Sequence, residues 1–200
     1  MRSSKITRDK ILKAAEKAFA EKGYWGAKID EIAAAAQINK RLIYVHFGSK
    51  EALYKAVLQN VYRSLNGIGK CIDPALSPEK AIESFVFESF DFLSKNERAV
   101  RIMMWENLNE AEFMTGPEMG DMKNDTAALL KSIIRTGIKD GIFKSDTDEN
   151  EVAFEIIMLV LSFYSNNHTL PKLIGISAPA KENRAKTVTE TILSRIMNCF

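Results

Sequence analysis

Apolar residues recur at helical spacing along almost the whole chain, and no stretch alternates apolar and polar residues as a strand would. Near the N-terminus, one apolar face combines Ile11, Leu12, Ala15, Ala18 and Phe19. The same spacing predicts further helices over about 28–36, from 40 to 47, after Ser49, and over about 78–95, 98–109, 118–140, 150–169 and 179–197. The sequence therefore predicts an all-α fold of about nine helices.

Two of the predicted helices are short and are separated by only three residues, Gln37, Ile38 and Asn39. Asn39 is a favourable N-cap for the second helix, and Ile38 can fill the space between the two. This is the arrangement of a helix-turn-helix, whose second helix enters the major groove of DNA. Ile43 and Phe47 are predicted to face inward, which leaves these residues on the outer face: Lys40, Arg41, Tyr44 and Val45.

The helical pattern is interrupted after Leu65 by residues that favour turns, namely Gly67, Gly69 and the segment 73–78. We take this interruption as the boundary between an N-terminal head and a larger helical body. The three-helix DNA-binding domain itself is assigned to residues 1–50, and a helical effector-binding and dimerisation domain to residues 51–200.

The chain carries a net charge of only +2, but its charges are unevenly distributed. Residues 1–63 contain 13 Lys and Arg against six Asp and Glu, for a net charge of +7. The other 137 residues contain 15 basic and 20 acidic side chains, for a net charge of −5. A basic segment that includes a helix-turn-helix favours a nucleic-acid partner, double-stranded DNA in this case.

The run from Ala27 to Leu53 resembles the DNA-binding head of TetR-type transcriptional regulators, and its most specific part is Ile-Tyr-x-His-Phe-x-Ser-Lys-Glu-x-Leu from Ile43 to Leu53. The spacing of Ala14, Ala15, Ala18 and Phe19 before Gly23-Tyr24 is similar to the first helix of that family. The close resemblance covers about residues 6–58. Beyond it, only length, helicity and layout are similar.

The resemblance implies that Lys40, Arg41 and Leu42 begin the recognition helix, and that Tyr44 and His46 contact phosphates or sugars. It also implies that Lys50 meets a phosphate at the start of the fourth helix, where the helix dipole favours an anion. The complete predicted DNA-binding set is Lys28, Asn39, Lys40, Arg41, Leu42, Tyr44, Val45, His46 and Lys50.

Two residues depart from the family pattern. Lys28 stands where the family usually has Thr, so it can reach a phosphate but cannot cap the second helix. Gln37 stands where the family usually has Gly, so a positive φ at this position would strain the backbone by about 1 kcal/mol. Neither departure changes the predicted fold.

The middle of the chain is rich in methionine and aromatic residues, which line adaptable apolar cavities in proteins. In TetR-type regulators such helices enclose an effector pocket, and the resemblance implies a small hydrophobic effector here. The predicted lining is Phe87, Phe90, Met103, Met104, Trp105, Phe113 and Met122. The alternative is that these side chains belong to an ordinary helical core.

The last two predicted helices carry more apolar residues than one face of a helix normally buries. The resemblance implies that they pair with a second copy in a four-helix bundle, so that a homodimer places two heads on a palindromic operator. The predicted interface is Ile156, Val160, Phe163, Val188, Ile192 and Ile196. The alternative is that these residues form a core within one chain.

Other classes of protein find little support in the sequence. His46 and His168 are the only histidines, and no catalytic triad or metal-ligand spacing is present, so we expect no enzyme, no metal and no cofactor. Cys71 and Cys199 lie far apart, which favours reduced thiols. With no signal peptide and no membrane-length apolar run, the expected location is the bacterial cytoplasm.

The resemblance thus implies a TetR-like transcriptional regulator, a repressor in preference to an activator, that is released from its operator by a small apolar effector. A second hypothesis is a DNA-binding protein of nucleoid organisation or division control that responds to no small molecule. A third is a regulator whose ligand is another protein. The positions of its binding sites on DNA would distinguish a local regulator from an architectural protein.

Overall fold

A computed structural model describes residues 2–115 and 125–198 of the chain, and within them it contains ten α-helices. The predicted all-α fold is confirmed. One helix more than expected is present, because a short helix, α9, lies between the last two predicted ones. The helices are α1 (Arg2–Gly26), α2 (Ile29–Ala36), α3 (Lys40–Phe47), α4 (Lys50–Gly69), α5 (Pro78–Lys95), α6 (Glu97–Leu108), α7 (Asp125–Lys139), α8 (Glu149–Asn166), α9 (Leu170–Ile174) and α10 (Lys181–Ile196).

Several helices begin at polar residues that satisfy free backbone N–H groups. The Asn39 side chain accepts a hydrogen bond from the backbone N–H of Arg41 at 2.8 Å, which caps α3. The Ser49 hydroxyl accepts one from the N–H of Ala52 at 3.0 Å at the start of α4. The Asn39 cap is predicted from the sequence, and the two caps fix where α3 and α4 begin.

The described residues form two compact units. The head unit comprises residues 2–64 and 96–115, and the body unit comprises residues 65–95 and 125–198. The head therefore extends beyond the DNA-binding domain assigned to residues 1–50. It includes most of α4, and the chain returns to it through α6 after leaving for α5.

The head unit has one apolar core, to which α1, α2, α3, α4 and α6 all contribute. Its fully buried side chains include Ile11, Phe19, Ile32, Ile43, Leu53 and Ile102. Gly23 interrupts the helical backbone of α1 at a φ of 65°. A Cβ at this position would lie only 2.9 Å from the Trp105 ring, so only glycine permits this close approach of α6.

The body unit is built from α5, α7, α8 and α10, with α9 at its edge. Its core includes Ile82, Phe90, Leu130, Ile156 and Ile192. The Tyr164 hydroxyl at the end of α8 donates a hydrogen bond to the carbonyl oxygen of Phe90 on α5, and burial raises the pKa of Tyr164 to about 12. No helix among the described residues combines the length and the hydropathy that crossing a membrane requires.

Candidate nucleic-acid interface

The turn between α2 and α3 has the geometry that the sequence predicts for a helix-turn-helix. Gln37 ends α2 in the left-handed conformation, with φ 56° and ψ 47°. The backbone N–H of Gln37 donates to the Ala34 carbonyl and that of Ile38 to the Ala33 carbonyl, each at 3.1 Å. These two hydrogen bonds terminate α2 and turn the chain, so that α3 begins at Lys40, two residues after Ile38.

The two faces of α3 differ in composition and in exposure. Ile43 is fully buried in the head core. On the opposite face Val45 is 68% exposed, and Leu42, Tyr44 and Arg41 are exposed as well. An exposed helix face with a guanidinium, a phenol and aliphatic side chains can contact both phosphates and base edges in a major groove.

Lys40, at the first position of α3, has an intramolecular partner. Its Nζ lies 3.0 Å from a carboxylate oxygen of Asp30 on α2, and this hydrogen bond raises the pKa of Lys40. Both side chains are exposed. This pair was not predicted from the sequence, although residues at the starts of two short adjacent helices can lie close together. A contact between Lys40 and DNA would require this ion pair to open.

Three other side chains, Lys50, Arg8 and His46, contact aromatic rings of the head. The Lys50 ammonium lies 4.7 Å from the centre of the Tyr24 ring, and partial burial lowers the pKa of Lys50. The guanidinium of Arg8 lies 5.0 Å from the centre of the Phe47 ring. His46 is half-buried beside the same phenylalanine. The contacts of Arg8 and Lys50 orient two cationic groups near the C-terminal end of α3.

Lys28 occupies the N-cap position of α2 in an extended conformation and makes no side-chain cap hydrogen bond. Its side chain is exposed. The structure thus agrees with the expectation that Lys28 leaves this helix end uncapped. Of the nine predicted DNA-binding residues, Asn39 and six residues of α3 are exposed or half-exposed. Lys28 is exposed at the start of α2, and Lys50 begins α4.

The structure does not bring the predicted effector-binding residues together in one described cavity. Trp105 and Phe113 pack in the head: the Trp105 indole N–H donates to the Ala20 carbonyl at 3.3 Å, and the Phe113 ring centre lies 4.3 Å from that of Tyr24. Met103 packs against the same core, and Met104 is half-buried on α6. These side chains therefore pack within the head and do not line a described cavity.

The remaining predicted effector residues are in the body unit or outside the described residues. Phe90 is buried against the ring of Phe163, whereas Phe87 is partly exposed on α5. Met122 lies outside the described residues. Among the described residues, a groove of about 690 Å³ in the body is lined by Ile72, Leu129 and the segment 73–78, and none of the predicted effector residues lines it.

The predicted dimer interface requires a correction. Ile156, Val160, Val188, Ile192 and Ile196 are at most 3% exposed and form the core of the body unit within a single chain, while Phe163 is half-buried. A second copy cannot reach residues that are already covered. The free apolar surface of α8 is its other face, where Phe154 is 62% exposed and Met158, one helical turn later, is 49% exposed.

Two family models match the chain, and together they cover most of it. One is described as "Bacterial regulatory proteins, tetR family" and matches residues 11–57. The other is described as "Tetracyclin repressor-like, C-terminal domain" and matches residues 78–192. The first covers the helix-turn-helix and its flanking helices, and the second covers most of α5 to α10.

Individual proteins are similar over most of their length. The chain is 31% identical to the HTH-type transcriptional repressor NicS of Pseudomonas putida over 185 residues, 92% of this chain and 87% of NicS. It is 27% identical to the repressor KstR2 of Rhodococcus jostii over 155 residues, 75% and 74% of the two chains. The crystal structure of a bacterial regulatory protein in the tetR family from Rhodococcus RHA1 matches with a TM-score of 0.77 at 22% identity, covering 97% of this chain and 98% of that one.

Proposed function

The chain belongs to the TetR family and is a DNA-binding transcriptional regulator, and we propose that it represses transcription by binding a palindromic operator as a homodimer. We further propose that a small apolar effector binds the protein and releases it from the operator. NicS and KstR2, which are similar to most of the chain, are both named as transcriptional repressors. The observation that supports DNA binding is the exposed outer face of α3, with its guanidinium, phenol and aliphatic side chains.

Arg41 is the side chain on α3 that is best suited to reading a base. It is exposed, it stands in the first turn of a helix whose start is fixed by Asn39, and no ion pair among the described residues engages its guanidinium. Arg donates two hydrogen bonds to guanine, so Arg41 supplies sequence recognition, while Tyr44 and Lys50 supply contacts to phosphates.

The second copy supplies a second head, since one short recognition helix offers few base contacts. The outward face of α8, with Phe154 and Met158, is an exposed apolar surface that a partner would cover. We assign the dimer interface to this face. The net charge of +7 on residues 1–63 would be present twice in such a dimer, so operator affinity should fall steeply as salt is added.

The effector is proposed on chemical grounds. The body contains aromatic side chains on facing helices, such as Phe90 on α5 and Phe163 on α8, and its surface carries a groove of about 690 Å³. Volumes of this size accommodate drug-sized molecules. An effector acts by binding one conformation of the dimer more tightly than the other, which lowers the population that can bind the operator.

The operator can be identified by selecting bound sequences from a random DNA pool with the full-length protein. The variant Arg41→Ala should then bind the selected site about 5- to 150-fold more weakly at fixed salt, because one bidentate base contact is worth about 1–3 kcal/mol. The matched control is Arg98→Ala, which removes an exposed arginine from α6 and should leave affinity unchanged.

Two results would contradict the proposal. If Arg41→Ala keeps its fold and binds within about twofold of the unaltered protein, α3 does not read the operator. If selection yields no palindrome and the protein instead protects many unrelated sites, an architectural role replaces that of a local repressor.

A further inference from the structure

Glu106 is an acidic residue buried in the core of the head. It lies on α6 and is only 1% exposed. Both of its carboxylate oxygens are enclosed, and no charged side chain among the described residues bonds to them. The neutral Tyr54 hydroxyl on α4 and the backbone N–H of Phe113 approach the carboxylate, but neither completes a hydrogen bond of good geometry with it. An ionised carboxylate in such surroundings would be strongly destabilised.

Among the described residues, no group around Glu106 provides a compensating positive charge. From α4, Tyr54 and Tyr62 face it, and from the turn after α6 the acidic Glu112 acts on it together with the backbone N–H of Phe113. None of the ion pairs formed by the described residues includes Glu106, and α1 contributes no titratable group that acts on its charge. A proton is the remaining way to neutralise the carboxyl.

The turn that follows α6 is held in an unfavourable backbone conformation. Glu110 and Ala111 have φ values of 54° and 58°, although neither is glycine. The N–H of Ala111 donates to the Glu106 carbonyl at 2.8 Å, and Phe113 beyond it packs 5.1 Å from the Tyr54 ring. The packing of Phe113 and Glu106 in the head therefore maintains a turn that would otherwise relax.

We propose that Glu106 is a proton-binding site inside the head, and that its bound proton keeps α6 and the turn over residues 109–115 packed against α4. Loss of the proton creates a buried, unpaired charge. The least costly response is for the strained turn to open, which gives the carboxylate access to water and withdraws Phe113 from the aromatic cluster.

The direction of the pH dependence follows from burial. Burial raises the pKa of Glu106 above the ordinary value for glutamate of about 4.3. The folded head then holds a proton that the unfolded chain has already released. The stabilisation is complete below the ordinary pKa, and it decreases as the pH rises through the raised pKa of the folded head.

Tryptophan fluorescence can follow the opening, because Trp105 stands next to Glu106 and packs against α1 at Gly23. The only other tryptophan, Trp25, is 70% exposed, so Trp25→Phe leaves Trp105 as the single reporter. In this background, Trp105 emission should move to longer wavelength as the pH rises, with a midpoint above about 4.3. Glu106→Gln, which is neutral at every pH, should abolish the shift.

Glu97→Gln is the matched control, since it removes an exposed carboxyl from the same helix and should leave the shift intact. Infrared spectroscopy of the protein with Glu106 in place is the second measurement. The infrared band of one protonated carboxyl should persist to higher pH than the bands of the other carboxyl groups. This measurement does not depend on whether Glu106→Gln folds.

The proposed proton site is wrong if no protonated carboxyl band persists above the pH range in which exposed carboxyl groups ionise. It is also wrong if Glu106→Gln shows the same pH midpoint of Trp105 emission. The coupling to α6 is wrong if the band behaves as expected while Trp105 emission stays constant. Neither measurement uses DNA, so its outcome is independent of the proposed operator.

Discussion

Gln37 is a single residue at which sequence and backbone conformation conflict. The turn of the helix-turn-helix needs a left-handed residue after α2, and Gln37 adopts it with a φ of 56°. A side chain with a Cβ is less favourable than glycine in this conformation by about 1–2 kcal/mol. The surrounding contacts hold Gln37 there, so part of the stability of the head is used to maintain the turn.

We predict that Gln37→Gly increases the free energy of unfolding by up to about 1 kcal/mol, since relief of strain outweighs the added flexibility of the unfolded chain. Urea denaturation followed by circular dichroism measures this change.

Ala35→Gly is the control for the general effect of glycine, because Ala35 is exposed and helical in α2. It should destabilise the protein by about 0.5–1 kcal/mol. Equal losses of stability in both variants would mean that Gln37 is not strained.

Glu106 illustrates what residue-level patterns predict and what they miss. It follows Ile102 by four positions and Ala99 by seven, both of which are buried, so helical spacing alone assigns it to the inner face of α6. Its residue type alone favours the opposite, a side chain exposed to solvent. The burial could have been predicted from the spacing, but its neighbours Tyr54 and Tyr62 could not, because they lie on another helix.

At the scale of a helix, α2 lacks the polar side chain that usually begins such an element. Lys28 has the extended N-cap conformation, with φ −111° and ψ 136°, but its side chain cannot accept a hydrogen bond from the first turn. The acidic Asp30 and Glu31 in that turn interact favourably with the helix dipole and offset part of the loss.

We expect Lys28→Thr to stabilise the protein by about 1 kcal/mol, because the hydroxyl can accept a hydrogen bond from a free N–H at the start of α2. Thermal and urea unfolding would both detect this gain.

Lys28→Ala separates the cap from the loss of charge, since it removes the ammonium without adding an acceptor. If Lys28→Ala is as stabilising as Lys28→Thr, then removal of the charge, and not a new cap, explains the gain.

The case of α8 shows why periodicity located the helices more reliably than their partners. This helix has apolar residues on two faces, one with Ile156 and Val160 and the other with Phe154 and Met158. Both faces have helical spacing, so the sequence identifies an amphipathic or buried helix but not which face meets its own chain. The choice depends on the positions of α5 and α10, which are determined by tertiary packing.

At the scale of the whole molecule, the outer face of α8 should determine the oligomeric state. We predict that Phe154→Glu converts the proposed dimer into a monomer, because a carboxylate would have to be buried in the proposed apolar interface. Sedimentation equilibrium at micromolar concentration would show the mass of one chain. Operator affinity should decrease at the same time, since the two heads would no longer bind as one unit.

Leu76→Glu is the control for the introduction of a charge on the body, because Leu76 is similarly apolar and partly exposed but does not lie on α8. It should remain dimeric. A protein that is monomeric before any substitution would show that α8 has no partner copy.

The return of α6 to the head has a practical consequence for protein engineering. A simple chimera of two such regulators would join the first few helices of one protein to the remaining helices of the other. In this chain such a cut would leave Ile102, Trp105 and Phe113 of the recipient facing a foreign surface on α1 and α4. A working hybrid needs two segments transplanted together, residues 2–64 and 96–115, so the unit of modular exchange is discontinuous along the gene.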